Sequence, residues 1–231
     1  MKKSDLAVIV GVILFLLPFF IFDKVFDFYE DFNKEHSMIT SFVKFAILAT
    51  FGETIGQRIR TGKYLNKGFG LFPRVIVWGV IGLTIKMAFI IFATGTPNFL
   101  EYLGIKGAAQ SLNNVFSLKK LIVAFFISAT MNVIYAPIMM TFHKITDKHI
   151  ESYGGKIICL IKPINIRKII INLDWDIQWN FVFKKTIPFF WIPAHTITFL
   201  LNEEYQVLFA AFLGVCLGVI LSVASLKKNS F

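Results

Sequence analysis

The sequence predicts an all-α fold, a polytopic helical membrane protein, and three observations carry that prediction. Apolar residue types make up 56% of the chain and charged types only 16%, against about 45–50% and about 25% in soluble domains. Mean hydropathy is +0.68. The apolar residues gather in runs about as long as a bilayer-crossing helix needs, roughly 20 residues each, with polar connections between them. A disordered chain, a coiled coil and an ordinary soluble enzyme are excluded. The formal charge is +10, which in a membrane protein reads as the Lys/Arg excess of cytoplasmic loops. No basic run interleaved with aromatics suggests nucleic acid.

Residues 6–22 form the first apolar run, preceded by Lys2 and Lys3. Bulky residues continue to its end and Asp23-Lys24 follows, with no small-x-small cleavage pattern. It reads as an uncleaved span kinked at Pro18, and residues 1–27 are taken as a separate N-terminal segment. Val25, Phe28, Tyr29 and Phe32 then mark one face of a short amphipathic helix at the interface. The second run, 38–59, contains Lys44 and Glu53. A basic loop with several glycines and Pro73 follows. The third run, 75–94, holds Lys86 and is expected to end at Gly95-Thr96-Pro97-Asn98, with a mixed interfacial piece over 98–118. The fourth run is 121–142, with Asn132 and Pro137 inside it.

The stretch 143–186 is basic and is expected at the interface. Within it, Leu173, Trp175, Ile177, Trp179, Phe181 and Phe183 alternate as in a strand. A lone strand cannot satisfy its backbone in lipid, so the piece is either an interfacial helix or extended chain at the headgroups. Residues 187–201 are apolar but short and carry two prolines. With 207–225 they close a C-terminal helical hairpin. Placing Lys2-Lys3, the 58–74 loop, 143–186 and Lys227-Lys228 on one side gives six segments with both termini cytoplasmic. Five spans is the alternative.

Ionisable and polar groups inside apolar runs are expensive unless they face protein or water. They are therefore the candidates for a polar path: Glu53, Gln57, Lys86, Asn132 and His195. Each also has a structural reading: Glu53 and Lys86 as paired charges, Asn132 as an interhelical hydrogen bond, and His195 as a donor to a carbonyl freed by Pro193. Small residues mark the packing seams. Gly52 and Gly56 are four apart, and Ala210, Gly214, Gly218 and Ser222 form a ladder of the same period. The two ladders are expected to meet, or the second meets its own copy in a homo-oligomer. No P-loop, GxSxG, HExxH or GxGxxG occurs. Cys159 and Cys216 form no metal-binding pattern. No enzyme activity, metal or cofactor is expected.

The order of several motifs resembles a known family. His36 precedes Gly52-Glu53-Thr54-Ile55-Gly56-Gln57, and Arg74 and Gly82 follow. Lys119-Lys120 come next, then Ala136-Pro137 and Phe142. Trp191, Pro193, Phe199, Tyr205 and Leu221-Ser222 close the series. Together these resemble the Mpv-seventeen / peroxisomal membrane protein twenty-two family over about 28–225. Glu53 stands for the family's Asp, His195 for Gln, Thr198 for Asn, Asn202 for Pro and Gln206 for Arg. A residue is inserted between Trp191 and Pro193, and residues 6–22 are an additional span. The resemblance implies a four-span core over 28–231 and a channel-like or small-solute role. The expectation is a small passive channel or solute-permeating protein, multi-pass in a prokaryotic plasma membrane, whose partners are lipid and small solutes or ions. A membrane scaffold or assembly factor is the alternative.

Overall fold

The computed structural model describes residues 2–228, without the side chains at 224, 225, 227 and 228. The side chains of Lys227-Lys228, used above for orientation, and residues 1 and 229–231 lie outside that description. Every regular element among the described residues is helical. This is the expected solution for a chain in lipid, because a helix satisfies its own backbone where water cannot. Among the described residues, five helices are long and apolar enough to cross a membrane. The protein is an all-α polytopic membrane protein.

Two compact units divide at Thr40/Ser41. In the first, α1 (Lys3–Ile21) is apolar on all sides and has no buried residue. Helix α2 (Asp23–Glu35) follows, and Tyr29 meets Phe19 of α1 edge-on at 5.8 Å.

In the second unit, α3 (Ser37–Thr61), whose first residues belong to the preceding unit, leads through the basic loop into α4 (Leu71–Tyr102). Helix α4 does not stop at Gly95-Thr96-Pro97-Asn98 as the sequence suggests. It runs on to Tyr102 with Pro97 buried inside it. Thr96 Oγ1 bonds Thr130 Oγ1 at 2.8 Å, so the neighbouring helix holds the segment that proline and glycine weaken. The short α5 (Ala108–Ser111) precedes α6 (Leu118–Ser152), which Ser117 caps by accepting from Lys120 N–H. Helix α6 therefore extends ten residues beyond the expected end at 142, and the start of the supposed interfacial stretch is helix.

A 3₁₀ turn (Ile157–Ile161) and α7 (Ile166–Ile171) follow. Then comes a π-helix (Ile177–Trp191) that continues directly into α8 (Ile192–Leu200). The alternating residues at 173–183 are thus neither strand nor extended chain over most of their length. In the wide π register Thr186 Oγ1 donates to the carbonyl of Phe181, five residues back. Helix α9 (Glu203–Lys228) ends the chain.

The core lies where α4, α6, α8 and α9 meet, around Ile81, Ala88, Val123, Ala124, Ile127, Phe199 and Ala211. Glycines set the closest approaches. A Cβ at Gly82 of α4 would sit 2.6 Å from the Ser41 carbonyl of α3. One at Gly70, which has a positive φ of 69°, would meet Gly155 Cα at 2.8 Å. Only glycine fits both positions, and the Gly70 contact seats the basic loop on the turn after α6.

Candidate functional site, a polar cavity among the helices

The ladder of small residues meets α3. A Cβ at Gly56 would lie 2.8 Å from Ser222 Oγ, and one at Gly218 would lie 3.5 Å from the Gly52 carbonyl. Arg60 Nη1 donates to Ser222 Oγ at 2.7 Å. The expected α3–α9 seam exists at these positions, and Ala210 is buried. Gly214 departs from it, because a Cβ there would touch nothing within 4 Å. It borders open space instead.

That space is a cavity of about 640 Å³, within the range of small-molecule sites. Helices α3, α4, α6, α9 and the continuous 177–200 rod line it. Its lining runs along α6 from Asn132 to Asp147 and beyond, roughly 22 Å at the α-helical rise. One end is charged. Arg74 of α4 donates to Glu53 Oε2 at 2.7 Å, to the Asp147 carboxylate and to the Phe69 carbonyl. Glu53 Oε1 also accepts from Trp78 Nε1 at 3.0 Å and lies 3.1 Å from His143 Nε2. Trp78 and Arg74 are one turn apart on α4, as are His143 and Asp147 on α6, so each helix presents two members on one face. Around this knot the long side chains of Arg60, Lys67 and Lys144 border the cavity and are exposed.

Glu53, His143 and Asp147 offer ligand atoms within 4.8 Å of one another, a donor set suited to a divalent ion. The Arg74 guanidinium already sits against both carboxylates where an ion would sit, and His143 contacts both as well. The residues fit an internally paired cluster better than a metal site.

The other end is aromatic and mostly apolar, bordered by Phe45, Ile85, Phe89 and Met131. Here Asn132 Nδ2 donates to the Ser128 carbonyl at 2.8 Å and lies 3.0 Å from His195 Nδ1. Trp191 stacks on His195 with ring centroids 5.1 Å apart, and Phe89 meets it edge-on. Pro193 therefore frees no carbonyl that His195 takes up; the imidazole is held by Asn132. Trp191 and Gln178 belong to the lining, but their donors Nε1 and Nε2 are sealed from it and have no hydrogen-bond partner among the described residues. An unsatisfied buried donor costs about 1–3 kcal/mol.

Of the residues singled out by sequence, Glu53, Gln57, Asn132 and His195 all line this one cavity. Lys86 does not line it: its Nζ donates to Glu203 Oε1 at 2.8 Å. His143, Asp147 and Trp78 were not legible as site residues, because the fourth apolar run breaks off at Phe142 and Trp78 looks like an ordinary apolar residue of its span. The i,i+4 pairs Arg74/Trp78 and His143/Asp147 at the ends of two apolar runs were the available signal. No family model, curated protein or solved structure matches the chain. Its function is therefore read from these residues.

Proposed function

We propose that the protein is a small passive channel or solute-permeating protein and that the cavity is part of its path. The single observation that carries this reading is the cavity itself: a space of about 640 Å³ running among apolar helices, with a mainly apolar wall that polar side chains interrupt at both ends. Lipid-facing helices that merely anchor a protein have no reason to keep Gln57, Asn132, Gln178 and His195 around a shared void, since intramembrane polar groups are costly. Glycine at 214 keeps the wall thin where a side chain would intrude.

The helix directions support the cytoplasmic placement of the charged end. The C-terminal ends of α3, α6 and α9 and the start of α4 meet there, through Arg60–Ser222 and Arg74–Asp147. These ends adjoin the basic loop at 62–70 and the basic stretch after 152, which the charge rule assigns to the cytoplasm. On this reading the 177–200 rod crosses the membrane, both termini are cytoplasmic, and the membrane is a plasma membrane.

The test is reconstitution of the purified protein in liposomes, with swelling followed by light scattering in isosmotic solutions of small polar solutes and salts. Faster swelling than in empty vesicles is expected. A second reading, a scaffold without transport, draws support from the pairing of Glu53 with Arg74, Lys86 with Glu203 and His195 with Asn132. Folded protein that gives no flux would favour it.

A further inference from the structure

Between α6 and the 177–200 rod the chain makes two short elements, the 3₁₀ turn at Ile157–Ile161 and α7 at Ile166–Ile171. Neither is long enough to cross a bilayer. Yet the piece is rich in large aliphatic residues that stay outside the core. Ile157, Ile161, Ile166 and Ile171 are each more than half exposed, and Ile158 and Leu160 are exposed as well. In a 3₁₀ turn residues three apart lie over one another, so Ile158 and Ile161 form one ridge and Ile157 and Leu160 a second. An exposed apolar surface of this kind marks contact with a protein or a membrane. The same piece carries unbalanced charge. No acid occurs from Ser152 to Leu173, whereas Lys156, Lys162, Arg167 and Lys168 do. All four are exposed, and none has an ion-pair partner among the described residues. By contrast Arg74, Lys86 and the nearby Lys148 are paired.

The piece is fastened back against the membrane helices. His149 Nε2 of α6 donates to the Cys159 carbonyl at 2.9 Å, which folds the 3₁₀ turn alongside the end of α6. The turn also packs on α4. Helices α4 and α6 are both long and apolar enough to cross a membrane. Asn165 caps α7 by accepting from the Lys168 N–H, and Trp175 Nε1 donates to the Ile170 carbonyl at 2.9 Å. Trp175 and Trp179, both exposed, follow directly, and tryptophan favours the depth of the headgroups. A surface held beside two crossing helices meets the lipid around them, and its unpaired positive charge complements an anionic leaflet rather than a neutral one.

We propose that residues 156–171 form a binding surface for the anionic lipids of the protein's own bilayer, with the exposed isoleucines at the acyl boundary and the four cations on the headgroups. Apolar insertion and a basic patch are two signals that together hold a segment to a membrane. The aliphatic stems of Lys and Arg can lie along apolar surface while their charged heads reach the headgroups. The charge contribution weakens with salt, and the apolar contribution remains. The surface lies outside the cavity and is independent of permeation; it holds equally for a scaffold.

The experiment places a bimane label on Ile161→Cys, at 78% exposure the most open of these isoleucines, in a Cys216→Ser background; Cys159 is buried and escapes the label. The full chain is reconstituted in phosphatidylcholine vesicles with a minor fraction of phosphatidylglycerol, and one lipid or the other carries bromine on its acyl chains. Both brominated lipids should quench the label. Quenching should report phosphatidylglycerol enriched about 5-fold around it, the value of one Lys or Arg at an anionic leaflet, and the enrichment should shrink at high salt. Changing Lys156, Lys162, Arg167 and Lys168 to Gln should abolish the enrichment, with quenching by phosphatidylcholine and the melting temperature retained. Equal enrichment of the two lipids around the wild-type segment overturns the proposal and needs no variant, as does enrichment that salt leaves unchanged. Enrichment that survives in the folded four-Gln chain also overturns it, since other cations would then be responsible. No quenching by either lipid would mean that a soluble partner or a second copy covers the isoleucines, and would overturn it as well.

Discussion

Arg74 is the group whose removal should cost the most. Its side chain is 8% exposed and lies against Glu53 at 2.7 Å, against Asp147, and within 3.8 Å of Glu151. It also donates to the Phe69 carbonyl and stacks over the Phe69 ring at 4.7 Å. Arg74→Met keeps most of the volume but leaves two carboxylates facing each other beside His143. Breaking a buried ion pair from one side costs about 3–5 kcal/mol. For a chain of this length each kcal/mol shifts the melting temperature by about 2–4 °C, so the expected drop is about 6–20 °C. The assay is thermal unfolding in detergent, followed with a thiol-reactive fluorogenic maleimide in a Cys216→Ser background. Cys159 is a suitable reporter because it is 2% exposed and burial pushes its thiol above the ordinary range. Both effects suppress labelling until the fold opens. Adding Glu53→Gln and Asp147→Asn to Arg74→Met should recover part of the loss, since the stranded charges are then gone. A melting point within about 2 °C of wild type for Arg74→Met would refute this electrostatic account, as would no recovery in the triple variant.

Two further outcomes separate the small residues and fix the topology. Gly218→Leu should lower the melting temperature, because a Cβ there would already lie 3.5 Å from the Gly52 carbonyl and the rest of the side chain would have to enter the seam. Overpacking of this kind costs about 1–3 kcal/mol. Gly214→Leu should leave the melting point unchanged while slowing liposome flux, because its Cβ meets nothing within 4 Å; equal destabilisation by both would mean that the ladder is a uniform packing seam. A reporter fused to the C-terminus should read as cytoplasmic, and an outside reading would mean that the 177–200 rod does not cross.

What the sequence made legible was whatever depends on apolar runs and small-residue period. The spans follow from hydropathy, the close approach of α3 and α9 at Gly52, Gly56, Gly218 and Ser222 from small-residue period, and the four polar residues that line the cavity from the cost of burying them. The failures have a common cause in tertiary support. Pro97 looks like a terminator because proline removes a backbone donor, yet packing and the Thr96–Thr130 bond carry α4 past it. His143 and Asp147 look like the start of a solvated loop because hydropathy cannot show that Glu53 and Arg74, far earlier in the chain, pair with them. Gly214 shares the period of Gly218 but not its surroundings; periodicity places both on one face of α9 and says nothing of where the facing helix leaves a gap. Lys86 was grouped with the path on hydropathy alone, and its partner Glu203 appears in the sequence only as a polar turn.

The central claim is that the cavity is a water-accessible path, and Gly214 offers the most direct test of it. In a Cys216→Ser background, Gly214→Cys places a thiol in the wall of the cavity where the structure leaves room for one. Liposome swelling is then measured before and after a charged methanethiosulfonate reagent. The account predicts swelling faster than in empty vesicles, lost on modification and restored by a reductant. Swelling that is present but unchanged by a modified thiol at this position would place the path elsewhere. No swelling above empty vesicles from folded protein would contradict permeation outright.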